Sequence, residues 1–417
     1  MIRLLAVFMG GKITIIGCVG FISVVLLVIC IYVIKHNNRE ALVDINYGEL
    51  SNISMDNNVQ NYWNTDTDHP IAASESGYYY VTMENMLVYF DTVSGDYIPV
   101  CSKPECTHDT LECNAYLGQN MVLSNIYYYN GYIYYMPLSS GMATLCRIDP
   151  SGISREIIGE LLPCGVANSI HLTFQGEYAY AYNWVSHVFC EDEYVESLIQ
   201  INLNNGETQV VYEVNGTGLA IKNVKSFGDK VFFIVQESNV SDNKNKSVRS
   251  RGIYSYNRED NKVTQVIDND INDYYMIDND VYYFVNNEGV YKANIESHEN
   301  MLIYSIDGTY NICNLSSDGK YIYIDNMKYI WYMRGDSERA GYIVIDREGN
   351  YVNELKCPYA LMMFFGDDKY IFYLGMGKDQ IMYLDKKDIT GQYEWKSVFD
   401  GGLDIINWRT EIKKLKY

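Results

Sequence analysis

The chain has 417 residues, 48% of them hydrophobic and 20% charged, enough apolar material for one large core or several smaller ones. Its 53 acidic residues outweigh 32 basic ones, giving a formal net charge of −21 that excludes a main body built to grip nucleic acid or an anionic membrane surface. The 41 tyrosines suit half-buried β surface, where the ring packs and the hydroxyl stays wet or bonded.

Residues 1–12 form a short amino-terminal end, read as cytoplasmic. Between Lys12 and Lys35, residues 13–34 carry no charge, and only Thr14, Ser23 and Tyr32 interrupt an apolar and small-residue run. That length predicts one transmembrane helix. No small-x-small cleavage site follows Ile34, so the reading is an uncleaved anchor, not a signal peptide. Ile16-Gly17-Cys18 faintly resembles a lipobox, but apolar residues continue past Cys18. Arg3 and Lys12 before the span nearly balance Lys35 and Arg39 after it. A lone amino-terminal anchor usually leaves the domain behind it outside, so the expectation is a single-pass cell-membrane protein with its main body extracytoplasmic. Residues 35–69, polar and rich in Asn and Asp, read as a linker with room for one strand that joins the domain later.

From residue 70 a repeat begins. A turn of Gly, Asn or Asp precedes an aromatic and β-branched strand, as in Gly77 then Tyr78 to Val81, Gly131 then Tyr132 to Tyr135, and Gly228-Asp229-Lys230 then Val231 to Ile234. Further starts lie at 176, 280, 319 and 368. Each is followed by a strand ending apolar-then-Asp or Asn, at Phe90-Asp91, Ile148-Asp149, Ile201-Asn202, Tyr256-Asn257, Ala293-Asn294, Ile345-Asp346 and Leu384-Asp385. Asp and Asn bond to the backbone of the turn they begin, which accounts for them without a ligand. A short apolar strand precedes each start and another strand follows each turn. Four short strands per unit, at this period and with no helical pattern between them, predict an all-β fold: a β-propeller of about seven four-stranded blades over residues 70–417, preceded by the one transmembrane helix. Ring closure is expected to borrow a strand from one end of the chain, either Asn52 to Met55 or Leu403 to Trp408.

These turn-and-strand units resemble the Tyr-rich propeller domains of surface proteins of Gram-positive anaerobes, catalogued as domains of unknown function and distantly similar to the YWTD propellers of lipoprotein receptors. The resemblance spans about Pro70 to Asp400, although no YWTD tetrad is present. It implies a propeller at a cell surface and carries over no active site.

The sharpest chemical signal is Cys101-Ser-Lys-Pro-Glu-Cys106-Thr-His108-Asp-Thr-Leu-Glu-Cys113, in an insert at residues 101–120 between the first two units. Three thiols and an imidazole within thirteen residues can fold round a tetrahedral Zn²⁺. Four protein ligands leave no open position, so such a metal would be structural. The competing reading pairs two of these thiols in a disulfide and links the third to Cys146, Cys164 or Cys190. Weaker candidates are His171 on an apolar strand, His187, Cys190 and the acidic residues of the 184–197 loop, the polar loop 237–251, and Trp331 to Asp336. No nucleophile elbow, phosphate loop or dinucleotide fingerprint stands in a supporting context. The expected function is a membrane-anchored, non-catalytic module that binds a protein or a carbohydrate through loops on one face, with no nucleic-acid partner and no catalytic or cofactor-binding residue assigned. The alternative is a propeller-fold hydrolase or lyase, which requires at least two carboxylates converging on the central channel.

Overall fold

The structure, a computed structural model, describes residues 43–54, 71–82, 85–91, 97–118, 125–139, 141–163, 170–183, 194–238, 248–306, 314–325, 341–356, 361–367, 369–375 and 381–397. The expected anchor at 13–34 lies outside them. No described helix is long and apolar enough to cross a membrane.

Each repeat unit supplies one antiparallel sheet of four main strands taken in chain order: sheet one over 71–99, two over 126–163 with Leu138–Ser139 as a short fifth strand, three over 170–216, four over 219–268, five over 271–305, six over 315–356 and seven over 361–397. Together they form a β-propeller. The period-two alternation of each strand explains the ring, because successive side chains leave by opposite faces. Tyr78 and Tyr80 pack in one apolar cluster with Phe372 of sheet seven. Their neighbours Tyr79 and Val81 pack with Ile126 and Ile133 of sheet two. In sheet five, Val281 and Tyr283 meet sheet four, whereas Tyr282 and Phe284 meet sheet six. Strands sandwiched between two neighbours are apolar on both faces, which is why they read as unbroken aromatic and β-branched runs.

The first strand of every sheet is the innermost. Neighbouring first strands are stapled to one another: Thr173 Oγ1 donates to the Val224 carbonyl at 2.7 Å, Asn223 Nδ2 to the Asn272 carbonyl at 2.9 Å, and the Leu172 N–H to the Tyr127 hydroxyl at 3.1 Å. The turns after the third strands are closed as their Asp and Asn residues predicted. Side-chain oxygens of Asp149, Asn202, Asn257, Asn294, Asp346 and Asp385 each accept from a backbone N–H two residues on, at 2.8 to 3.1 Å.

Three of these turns also interlock the blades. Gly152, Gly206 and Gly349 adopt φ of +71°, +75° and +85°, and each lies against the fourth strand of the preceding sheet or the residues just beyond it. A Cβ on Gly206 would lie 2.1 Å from the Ile158 carbonyl oxygen, and one on Gly349 2.2 Å from that of Ile303.

Among the described residues, ring closure uses no borrowed strand. Every sheet takes its four strands from one continuous stretch, so no strand is exchanged between chain ends among the described residues. Sheets one and seven meet through side chains instead: the Tyr78 and Phe372 rings pack edge to face at 5.0 Å, and the Tyr78 hydroxyl donates to Asp367. Ile53 and Ser54, in the front candidate for closure, lie against the Gly228-Asp229 turn of sheet four, and Leu403 to Trp408 fall outside the described residues.

Within the expected linker, residues 43–54 are a docked strap. Asp44–Ile45 adds a fifth strand to the outer edge of sheet four. The helical turn Tyr47–Ser51 follows, capped by the Asn46 side chain. Lys230, 2% exposed, donates to the Glu49 backbone carbonyl at 3.0 Å and pairs with its carboxylate. Tyr47 stacks on His298 at 4.3 Å. Alternating Asn and Asp masked this segment's few apolar anchors, Ile45, Leu50 and Ile53, in the sequence.

Sheets six and seven are joined by Asp318, which accepts from Lys386 Nζ at 2.9 Å, the Tyr323 hydroxyl at 2.7 Å and the Tyr321 N–H at 2.7 Å. Burial alone would raise this carboxyl, but the Lys386 charge and the hydrogen bonds outweigh it and hold the group below its ordinary range. A depressed folded-state value contributes stability above the unfolded carboxyl range, near about pH 4, that is lost as pH falls through the folded value. Asp318→Asn should therefore lower stability at neutral pH and flatten the acid limb below about pH 4. Urea titrations across that range read both effects, and an unchanged acid limb would remove Asp318 from it.

Candidate metal centre

Residues 100–118 leave the outer strand of sheet one and are pinned on several sides. The Val100 N–H returns to the Leu87 carbonyl at 3.0 Å, the Leu117 N–H reaches the Asn85 carbonyl at 2.9 Å, and the Leu87 N–H donates to Ala115 at 2.7 Å. Sheet two supplies the rest. Asn114 Nδ2 donates to the carbonyls of Gly152 and Ile153, and Arg155 donates to those of Leu111, Cys113 and Tyr116. A Cβ on Gly152 would sit 2.5 Å from the Cys101 nitrogen, so the turn of sheet two is pressed against the start of the insert.

Within this frame, tight turns close from the Lys103 carbonyl to the Cys106 N–H at 3.3 Å and from Thr110 to Cys113 at 3.0 Å. Each turn presents a thiol inward. His108 adopts φ of 57°, a region that costs a non-glycine residue free energy and is held only by its surroundings. Its Nδ1 lies 3.2 Å from Cys113 Sγ. The ligand atoms of Cys101, Cys106, His108 and Cys113 all lie within 4.8 Å of one another, so the four sequence-predicted residues converge on one point and can hold a metal ion. A tetrahedral Zn²⁺ would bring such atoms to about 3.5–3.8 Å apart, a small contraction, and a Cys3His donor set matches that ion's chemistry.

Cys101, Cys106, Cys113 and Cys146 are free thiols, so the disulfides considered from sequence do not join them. Cys146 packs between sheets one and two, away from the cluster's own core. Cys164 and Cys190 lie outside the described residues. Burial pushes the Cys113 thiol up to about 12. At Cys101 burial also acts upward, but the Lys103 N–H and the neighbouring thiols outweigh it and hold the group below its ordinary value. Only the thiolate alkylates, so iodoacetamide at about pH 8 should label Cys101 at least about a hundredfold faster than Cys113 in metal-free protein. Peptide mapping over time checks this, and equal rates would mean the insert opens faster than it reacts.

His171 is fully buried, with its ring edge-on to Tyr182 at 5.9 Å. His187, the residues 184–193, most of the 237–251 loop and Trp331 to Asp336 fall outside the described residues. At the ends of that polar loop, Glu237 accepts from both Arg249 and Arg251.

Sequence reasoning missed a buried ion pair at the propeller axis. Lys225, on the first strand of sheet four, pairs with Asp273 on the first strand of sheet five and also donates to the Tyr274 carbonyl at 2.8 Å. Its ammonium lies 3.9 Å from the Tyr275 ring centroid. The other Asp273 oxygen accepts from the Leu315 N–H of sheet six at 2.8 Å. Burial raises the Asp273 carboxyl above its ordinary value despite Lys225. The signal available was the lone carboxylate Asp273 in an aromatic and β-branched strand, and Lys225 in a strand that also carries Lys222. Among the described first strands, Asp273 is the one carboxylate.

No protein-family model and no curated protein matches the chain. Among solved structures, a prolyl endopeptidase is similar with a TM-score of 0.54 and 12% identity, over 81% of this chain and 50% of that one. This chain thus spans half the length of that enzyme. The β-propeller domain of the Trilobed protease from Pyrococcus furiosus is similar with a TM-score of 0.43 and 13% identity, over 79% of this chain and 93% of that one. An oligogalacturonate lyase in complex with manganese gives 0.44 and 13%, over 74% and 81%. The endopeptidase likeness shows the fold alone.

Proposed function

We propose that this chain is a non-catalytic binding propeller, displayed on the outer side of a cell membrane by the 13–34 helix, with a structural Zn²⁺ held by Cys101, Cys106, His108 and Cys113. The observation that carries the non-catalytic reading is the state of Asp273. A hydrolase or lyase at the axis needs two carboxylates with a substrate between them, whereas the described first strands offer one, occupied by Lys225 and two backbone N–H groups. A four-ligand zinc site likewise leaves no position for a reacting group.

Strand order supports placing the partner at one end of the ring. In a four-stranded antiparallel sheet, the connection between the second and third strands and the one leading to the next sheet leave by the same end. Some of those connections are long, spanning 184–193, 239–247, 307–313 and 326–340, and others, at 217–218 and 269–270, are two residues. The opposite end carries tight turns such as 176–177, 228–229 and 278–279. Rigid scaffolds place recognition on their variable loops, so the partner, a protein or a glycan, meets the long-loop end.

The test uses the full chain in detergent micelles. Saturable retention on immobilised surface glycans or proteins is expected, with polygalacturonate and peptide anilides left unconverted. Turnover of either substrate that disappears in Asp273→Asn would overturn the reading in favour of an enzyme working at the axis.

A further inference from the structure

The metal insert occupies an informative place in the ring. Sheets two to seven follow one another without interruption, and neighbouring sheets are joined by the chain itself. The seam between sheets one and seven has no such link, and no strand crosses it among the described residues. What holds it is an apolar cluster of Ile71, Tyr78, Tyr80, Val88 and Phe372, flanked by Tyr370 and Tyr383. Cys113 and Ala115, both with no exposed surface, belong to this same cluster, and Cys101 and Cys106 pack against it. The insert is anchored on its other side to sheet two by Arg155, Asn114 and Gly152.

From this placement we infer that Zn²⁺ at the Cys3His site is the clamp of the propeller seam. The metal fixes the insert against the outer strands of sheet one, and the buried end of the insert completes the core into which Phe372 packs. It thereby does the work that an exchanged strand would do. The inference rests on the zinc reading above and adds the metal's role. Metal binding free energy is folding free energy wherever the ligands are gathered only in the folded state, so losing the ion should be felt first at the part of the ring that the insert supports. Sheet four, across the ring and braced separately by the Lys230–Glu49 strap, should be insulated from that loss.

Amide hydrogen exchange on the full chain in detergent, with zinc content measured in parallel, tests the clamp. Four anaerobic samples are needed: zinc-loaded, chelator-stripped, and the His108→Ala and Phe372→Ala variants. One zinc per chain is expected in the first and none in the second. Stripping should accelerate exchange of Gly77–Val81 and of 370–372 at least about tenfold, leaving 231–235 unchanged. A Phe372→Ala variant should loosen the same strands and still hold one zinc. Stoichiometric zinc whose removal changes exchange nowhere, or equally in every sheet, would overturn the clamp and leave the zinc site standing. Loaded protein that retains no zinc would instead remove the metal reading on which the clamp rests.

Discussion

Asp273→Ala is expected to lower the unfolding free energy by about 3–5 kcal/mol, because it strands the Lys225 ammonium at the axis without its counter-charge. Lys225 and Asp273 have side chains 4% and 0% exposed, so neither charge can fall back on water. The loss also orphans the Leu315 and Tyr274 N–H groups, which Asp273 accepts at 2.8 Å each. Asp273→Asn keeps acceptor capacity but loses the charge, so it should fall between the parent and Ala. Pairing Asp273→Leu with Lys225→Met should recover much of the deficit, since removing both charges removes the desolvation burden with them. Urea unfolding of the four proteins decides the matter. A deficit below about 1 kcal/mol for Asp273→Ala would mean that water reaches the axis and the pair behaves like a surface salt bridge.

Gly206→Ala is expected to cost about 2–5 kcal/mol. Two separate penalties meet there. A left-handed backbone at φ of +75° costs a residue with a Cβ about 1–2 kcal/mol, and the forced separation of sheets two and three from a contact at 2.1 Å adds about 1–3 kcal/mol. Gly319 provides the control. It has φ of +80° but nothing within 4 Å of a Cβ, so Gly319→Ala should show the backbone penalty alone. Equal losses for the two variants would show that the turn of sheet three does not lock against the outer strand of sheet two.

Much of the architecture was legible in the sequence because it is written in local chemistry. Alternating tyrosines and β-branched residues specify strands at any place in the chain. The Asp and Asn closing each third strand specify their own turns, as the Asp149 and Asn202 side chains do with the N–H groups of Ser151 and Asn204. Cys101, Cys106, His108 and Cys113 stood within one short segment, so their convergence needed no knowledge of distant strands.

What remained hidden depends on which distant residues the twist and stacking of the sheets bring together. Asp44–Ile45 looked like linker, since two residues carry no strand signal until the Asp268 edge of sheet four is there to pair with. In the sequence nothing sets Gly152 apart from other glycines that follow an Asp in a turn, and only the stacking of sheet two on sheet one brings it against Cys101. Lys225 and Asp273 lie 48 residues apart and meet only because both project from innermost strands. The sequence by itself determined the strands, the turns, their repetition and the thiol-rich insert, all of them set by interactions within a few residues. The tertiary structure alone decided the ring's closure through Tyr78 and Phe372, the docking of the strap and the charge pair at the axis. These join residues far apart in the chain, and no local preference encodes the register or the packing that unites them.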